Sequence, residues 1–145
     1  MTFEVKNISI SISCPKETVY VFASDPENFT NWLAFVKSVS KQSEHVWNAE
    51  TDLGKIVIEL TPKNQFGIID HVVTLPDGNK VTNPLRVIDN NHGTEVIFTL
   101  FKMPGKTAKE FEEDAKLVDA DLKKLKEILE LQCNKPLRQT NANND

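Results

Sequence analysis

Residues 107–131, "TAKEFEEDAKLVDADLKKLKEILEL", place apolar side chains on one face of a long predicted helix. The apolar positions recur at alternating steps of four and three: Phe111, Ala115, Val118, Leu122, Leu125 and Leu129. These steps match the α-helical repeat of about 3.6 residues per turn. Thr107, with Glu110 three residues later, predicts a capping box at the start of the helix. A helix of this length can cover a whole sheet, so it decides the architecture.

The chain between Phe35 and Phe101 consists of short runs with strand character, separated by turn sequences. The turns are "TDLG", "PDGN" and "NNHG". Consecutive strands joined by short turns predict an antiparallel meander, which with the first strand gives six or seven strands. Pro84 interrupts the run "KVTNPLRVID", which predicts an edge position, a bulge, or a backbone site that needs no N–H donor.

The segment before the meander, "ISISCPKETVYVFASDPENFTNW" (10–32), predicts the end of a first strand and then two short helices. Pro15 suits the first turn of a helix, and Asp25–Pro26 is the N-cap and first position of the next helix. The complete order predicts an α+β fold in which a curved antiparallel sheet wraps around the long C-terminal helix. We expect such packing to leave a cavity between helix and sheet, which is a usual ligand site.

Length and composition predict one domain over residues 1–133, followed by a polar, disordered tail over 134–145. The net charge is −4 and the sequence contains no basic block, so we expect no nucleic-acid partner. No window approaches the roughly 20 apolar residues that span a bilayer, so we expect no stable membrane insertion. The N-terminus has no signal-peptide pattern, which predicts a cytoplasmic location.

The cysteines and histidines predict neither a metal site nor a cofactor. Cys14 and Cys133 lack the spacing of metal ligands; two reduced thiols are the favoured interpretation, with a disulfide as the alternative. The histidines, His45, His71 and His92, are scattered singly, which gives a metal site no support. No phosphate loop or nucleotide fingerprint occurs. The sequence does not predict an oligomeric state.

With these motifs the chain resembles the START-like, or SRPBCC, superfamily, and within it the polyketide cyclase/dehydrase-like group. The resemblance rests on the pattern I-x-I-x-x-P-x-x-x-V-Y-x-F-x-x-D-P-x-N at 10–28 and on "VDADLKKLKEILE" at 118–130, and it extends to about Cys133. It implies the helix-grip fold. Because that superfamily includes lipid carriers, hormone receptors, cyclases and co-chaperones, it implies no single activity.

The residues that we expect to line the cavity are mostly aromatic or aliphatic, with two polar members. They are Trp32, Phe35, Trp47, Phe66, His71, Arg86, Phe98, Phe111, Val118 and Leu122. No catalytic residue is assigned.

Asp70 and His71 are adjacent in the apolar run "GIIDHVVTL" and suggest half of a catalytic relay. Neighbouring residues of a strand point to opposite faces, so the two side chains cannot act as a dyad. The flanking residues of both are apolar, so the pattern does not say which faces inward. Arg86 falls near this pair across the "PDGN" hairpin. It forms either a cross-strand ion pair with Asp70 on a solvated face, or the polar end of the cavity, holding a ligand carboxylate or carbonyl.

Three functional hypotheses follow. The first is binding of a small hydrophobic molecule, lipid or polyketide-like, in the cavity. The second is a polyketide cyclase or dehydratase that uses His71 or Asp70 as acid or base and Arg86 as oxyanion partner. The third is an interaction module resembling the activator of the Hsp90 ATPase.

Overall fold

A computed structural model describes residues 1–134. Its order is β1 Val5–Ile12, α1 Lys16–Ala23, a 3-10 turn Pro26–Asn28, α2 Phe29–Trp32, β2 Val36–Lys41, β3 Val46–Thr51, β4 Gly54–Leu60, β5 His71–Thr74, β6 Lys80–Asn83, β7 Leu85–Asn90, β8 Gly93–Phe101 and α3 Ala108–Cys133. This is the predicted α+β, helix-grip architecture, with short helices after the first strand. Residues 135–145 of the predicted tail lie outside the described residues.

The strands form two hydrogen-bonded sections, β1-β8-β7 and β2-β3-β4-β5-β6, all antiparallel. They meet at Pro84, which divides one predicted strand into β6 and β7 and explains why residues 1–134 form eight strands. Proline has no N–H, so the break in the ladder at this residue leaves no donor unsatisfied.

The segment before β5 joins the two sections by pairing with β7. Ile69 donates its N–H to the Leu85 carbonyl at 2.8 Å, and Val87 donates to the Gly67 carbonyl at 2.9 Å. Gly67 has φ +72°, and a Cβ there would lie 2.2 Å from the Val87 carbonyl oxygen. Only glycine allows this approach.

The long helix α3 has the predicted capping box: Glu110 N–H donates to Thr107 Oγ1 at 3.0 Å, and Thr107 N–H to Glu110 Oε1 at 2.9 Å. Its C-terminal half is packed tightly, with Leu125 and Leu129 fully buried. Lys126 Nζ also donates to the Ser11 carbonyl, at 2.7 Å. The helix is therefore anchored on the end of β1. No helix within residues 1–134 is long and apolar enough to cross a membrane.

The prediction of two reduced thiols is wrong: Cys14 and Cys133 form a disulfide, with Cα atoms 5.8 Å apart. Cys14 follows β1 and Cys133 ends α3, and 119 residues separate them in sequence. Spacing along the chain cannot reveal that these two ends meet. Disulfides persist mainly in oxidising compartments, so the disulfide does not support the cytoplasmic location, which stays a prediction.

Candidate ligand cavity

A cavity of about 230 Å³ lies between the N-terminal half of α3, the α2 region and the concave face of the strands. Its apolar wall consists of Phe29, Trp32, Leu33, Phe35, Ile58, Ile69, Val73, Leu85, Phe98, Leu100, Leu117, Val118 and Leu122. The remaining lining residues are His71, Asn83, Asp114 and Asp121. The apolar residues of α3 divide between two environments: Leu125 and Leu129 are packed as core, whereas Leu117, Val118 and Leu122 line this space.

Six of the residues predicted from the sequence lie together in this wall: Trp32, Phe35, His71, Phe98, Val118 and Leu122. Phe35 is 45% exposed and Leu117, opposite on α3, is 62% exposed. Apolar lining residues with this exposure mark the rim of the cavity, whereas Trp32 and Leu122 lie in its buried interior.

The other four predicted residues lie elsewhere, and their assignment to this cavity is wrong. Trp47 lines a second, more polar cavity of about 560 Å³ beside the end of α1. Phe66 follows the turn after β4 and is 75% exposed. Phe111 is core at the start of α3, with Lys6 Nζ 5.5 Å from its ring centre. Arg86 is on the opposite face of the sheet.

The structure shows which face of the strand each side chain takes. His71 shares the inward face with Ile69 and Val73, while Asp70 points out. Asp70 holds Arg86 in a two-pronged ion pair, with Nε–Oδ1 at 2.9 Å and Nη2–Oδ2 at 2.7 Å. The Arg86 guanidinium, followed by the Leu85 N–H, holds the pKa of the Asp70 carboxyl below its usual range. The cross-strand ion pair is therefore confirmed, and Arg86 as the polar end of the cavity is wrong.

His71 presents one free nitrogen to its surroundings. Its Nδ1 lies 3.0 Å from the Ile69 carbonyl oxygen, which can only accept, so Nδ1 carries the hydrogen. The Nε2 lone pair has no partner among the described residues and is available to a ligand. Burial lowers the pKa of His71, so the ring is neutral near pH 7.

Asp121 is the second polar group of functional interest, and the sequence interpretation missed it. The carboxylate accepts one hydrogen bond, from the Ala34 N–H at 3.2 Å. Burial raises its pKa to about 6. A signal was present: Asp114, Val118 and Asp121 follow at steps of four and three, so both acids border the apolar stripe on one side.

Trp32 supplies a hydrogen-bond donor that is not used within the protein. The side chain is 4% exposed and packs edge-on against Phe29, with ring centres 6.4 Å apart. Its Nε1 is buried and has no partner among the described residues. A buried N–H without an acceptor costs free energy, so a ligand or water that accepts from it would be stabilised.

Solved structures with this architecture have little sequence identity to the chain. A conserved protein from Geobacillus kaustophilus is 16% identical, with a TM-score of 0.71 over 87% of this chain and 95% of that one. The Aha1 dimer from Colwellia psychrerythraea is 16% identical, with a TM-score of 0.69 over 88% and 96%. DynU16, from the dynemicin biosynthetic locus, is 15% identical, with a TM-score of 0.66 over 87% of this chain and 47% of that one. No protein-family model and no curated protein sequence matches the chain.

The chain therefore shares its fold with these solved structures, and its architecture is the helix-grip arrangement that the sequence resemblance implied. At these identities the likeness is one of fold. Function has to be argued from the residues of the cavity.

Proposed function

We propose that the protein binds a small hydrophobic molecule in the cavity between α3 and the sheet. The observation that carries the proposal is the cavity itself: about 230 Å³, with a mainly apolar wall and few polar groups. Apolar surroundings with a few oriented polar groups are typical of small-molecule sites.

The cavity volume limits the size of the ligand. An apolar cavity of about 150 Å³ binds benzene, whereas drug-sized ligands occupy roughly 300–1,000 Å³. A volume of about 230 Å³ suits a molecule of one or two rings better than a long acyl chain. This favours a small aromatic or polyketide-like ligand over an extended lipid.

Burial of the ligand supplies the affinity. A ligand that loses about 200 Å² of apolar surface gains about 5 kcal/mol at about 25 cal/mol per Å². Part of this gain is offset by the loss of translational and rotational freedom. About 5 kcal/mol corresponds to a dissociation constant of about 0.2 mM, so after this offset we expect values in the high micromolar to millimolar range for simple ring compounds.

The test is thermal unfolding with indole and with naphthalene, because a ligand that binds only the folded protein raises Tm. The variant Val118→Trp fills the cavity from α3 and should remove the shift. The variant Ala120→Trp is its matched control, because it adds the same side chain at an exposed position of the same helix. No shift with the unmodified protein, or an equal shift with Val118→Trp, would contradict the proposal.

Acid–base catalysis is a second candidate, because His71 and Asp121 line the same cavity. A neutral imidazole can accept a proton, and a carboxyl with a pKa of about 6 can donate one. This combination suits the dehydrating cyclisation of a short poly-β-ketone. Such a substrate should cyclise faster with the protein than without it, and His71→Phe should abolish the difference. Equal rates with and without the protein would remove this candidate.

The likeness to the Aha1 dimer is of fold alone, at 16% identity, and we base no chaperone partner on it.

A further inference from the structure

The charged residues that line the cavity are both acidic. They are Asp114 and Asp121, and no lysine or arginine contributes to the cavity wall in the part of the chain described here. Arg86, the cation that the sequence placed inside, is bound to Asp70 on the other face. The cavity therefore has no cationic partner for a ligand carboxylate.

The two acids differ in how their charge is compensated. Asp114 forms an ion pair with Lys106 at 2.9 Å. Asp121 receives only the Ala34 N–H, and no cationic side chain lies within ion-pair distance of it among residues 1–134. Its neighbour on the helix, Lys123, pairs with Asp119 at 2.8 Å. Asp121 is thus the uncompensated negative charge of the cavity.

The position of Asp121 suits an amphipathic ligand. Its partner Ala34 is exposed and directly precedes Phe35 at the rim, so the carboxylate lies close to the mouth. The interior of the cavity is mainly apolar, with Trp32 and Leu122 buried in its wall. A molecule with a charged head and a ring can place the head at the rim and the ring inside, which keeps the head partly hydrated.

We infer that the ligand is a small hydrophobic amine whose ammonium group pairs with Asp121 while its ring occupies the apolar interior. This rests on the proposed binding function and specifies its ligand class. An ammonium supplies the opposite charge that Asp121 lacks. A carboxylate ligand would instead meet a negative charge with no cation to offset it.

Amine binding should depend on pH through Asp121, which must be ionised to form the pair. The Ala34 N–H from the α2–β2 connection contacts it directly. The titratable groups that line the same cavity are His71 on β5 and Asp114, which is paired with Lys106. Burial lowers the pKa of His71 below its usual value, which favours the neutral ring. About a tenth of Asp121 is ionised at pH 5, one unit below its pKa of about 6. Affinity for the amine should therefore rise about tenfold from pH 5 to pH 8.

The test is calorimetric titration with three probes of similar shape: 2-phenylethylamine, 2-phenylethanol and phenylacetate. We expect the amine to bind at least about tenfold more tightly than phenylacetate at pH 8, and this preference to shrink at pH 5. Asp121→Asn keeps an oxygen for the Ala34 N–H and removes the charge, so it should bind amine and alcohol alike. Asp119→Asn removes a charge from the same helix outside the cavity and should keep the amine preference.

The outcomes separate the two proposals. If indole binds but the amine is no tighter than the alcohol, or phenylacetate binds as well as the amine, the amine inference is overturned and the binding function stands. If neither indole nor any of the three probes binds, both proposals are overturned. An amine preference that persists in Asp121→Asn would also overturn the assignment of Asp121.

Discussion

Two carboxylates of this protein, Asp70 and Asp121, have opposite pKa shifts for opposite structural reasons. Asp70 accepts two hydrogen bonds from Arg86 and one from Leu85, so its charged form is favoured. Asp121 is partly buried with one backbone donor, so its neutral form is favoured. The first group stabilises the sheet, and the second is the negative charge that the proposed amine ligand would compensate.

Asp121→Asn should stabilise the ligand-free protein at high pH. The carboxyl has a pKa of 3.8 in the unfolded chain and about 6 in the folded protein, so stability falls as pH rises between these values. Below about pH 3 the carboxyl is mostly protonated in both states and the cost vanishes. We expect a gain of about 1 kcal/mol at pH 8, discounted for partial solvation, and little or no gain at about pH 3. Urea unfolding at both pH values measures this, with Asp119→Asn as control; an equal effect at the two pH values would contradict it.

At the scale of single residues, the sequence predicted that Asp70 and His71 are on opposite faces but not which one is inside. Ile68 and Val72 flank one face and Ile69 and Val73 the other, so hydrophobicity is the same on both. The choice depends on pairing with β7, which is a tertiary feature. Asp121 was missed because an acid next to an apolar stripe usually lies at a solvated helix border.

At the scale of elements, α3 combines two functions along its length. The side chains of Leu122, Leu125 and Leu129 are only 0–2% exposed, whereas Val118 is partly buried beside the cavity. The sequence predicted the stripe, the cap and the length of this helix because those depend on local periodicity. It could not predict where packing gives way to open space, because that depends on the curvature of the strands opposite.

Shortening an apolar side chain should lower the free energy of unfolding by different amounts in the two halves of α3. Leu125→Ala should lower the free energy of unfolding by about 3 kcal/mol, because it creates a cavity in tightly packed core. Val118→Ala should cost about 1 kcal/mol or less, because its side chain already borders open space. Denaturant titrations of both variants measure the difference. Similar costs at the two positions would mean that the N-terminal half of α3 is packed as tightly as the C-terminal half.

For the whole molecule, the disulfide joins the two ends of the described fold. Cys14 and Cys133 close a loop across 119 residues, which constrains the unfolded chain strongly. The order of elements was enough to predict the fold. The crosslink could not be predicted, because it requires knowing that α3 runs back to the end of β1.

Reduction of this disulfide should lower the free energy of unfolding by about 2–5 kcal/mol. Denaturant unfolding with and without a phosphine reductant measures the loss, and mass spectrometry after thiol alkylation measures the oxidation state. The variant Cys14→Ala/Cys133→Ala is the control, because its stability should not respond to the reductant. Complete alkylation of the unreduced protein, or equal stability with and without reductant, would contradict the assignment.

The lack of a side chain at Gly67 determines which polar group faces the cavity, although Gly67 does not line the cavity itself. Its hydrogen atom lets the backbone close onto Val87, and this contact sets the alignment of the segment that continues into His71. If a methyl group forced that alignment to slip by one position, imidazole and carboxylate would exchange places. The ligand would then meet Asp70, while His71 would face water beside Arg86.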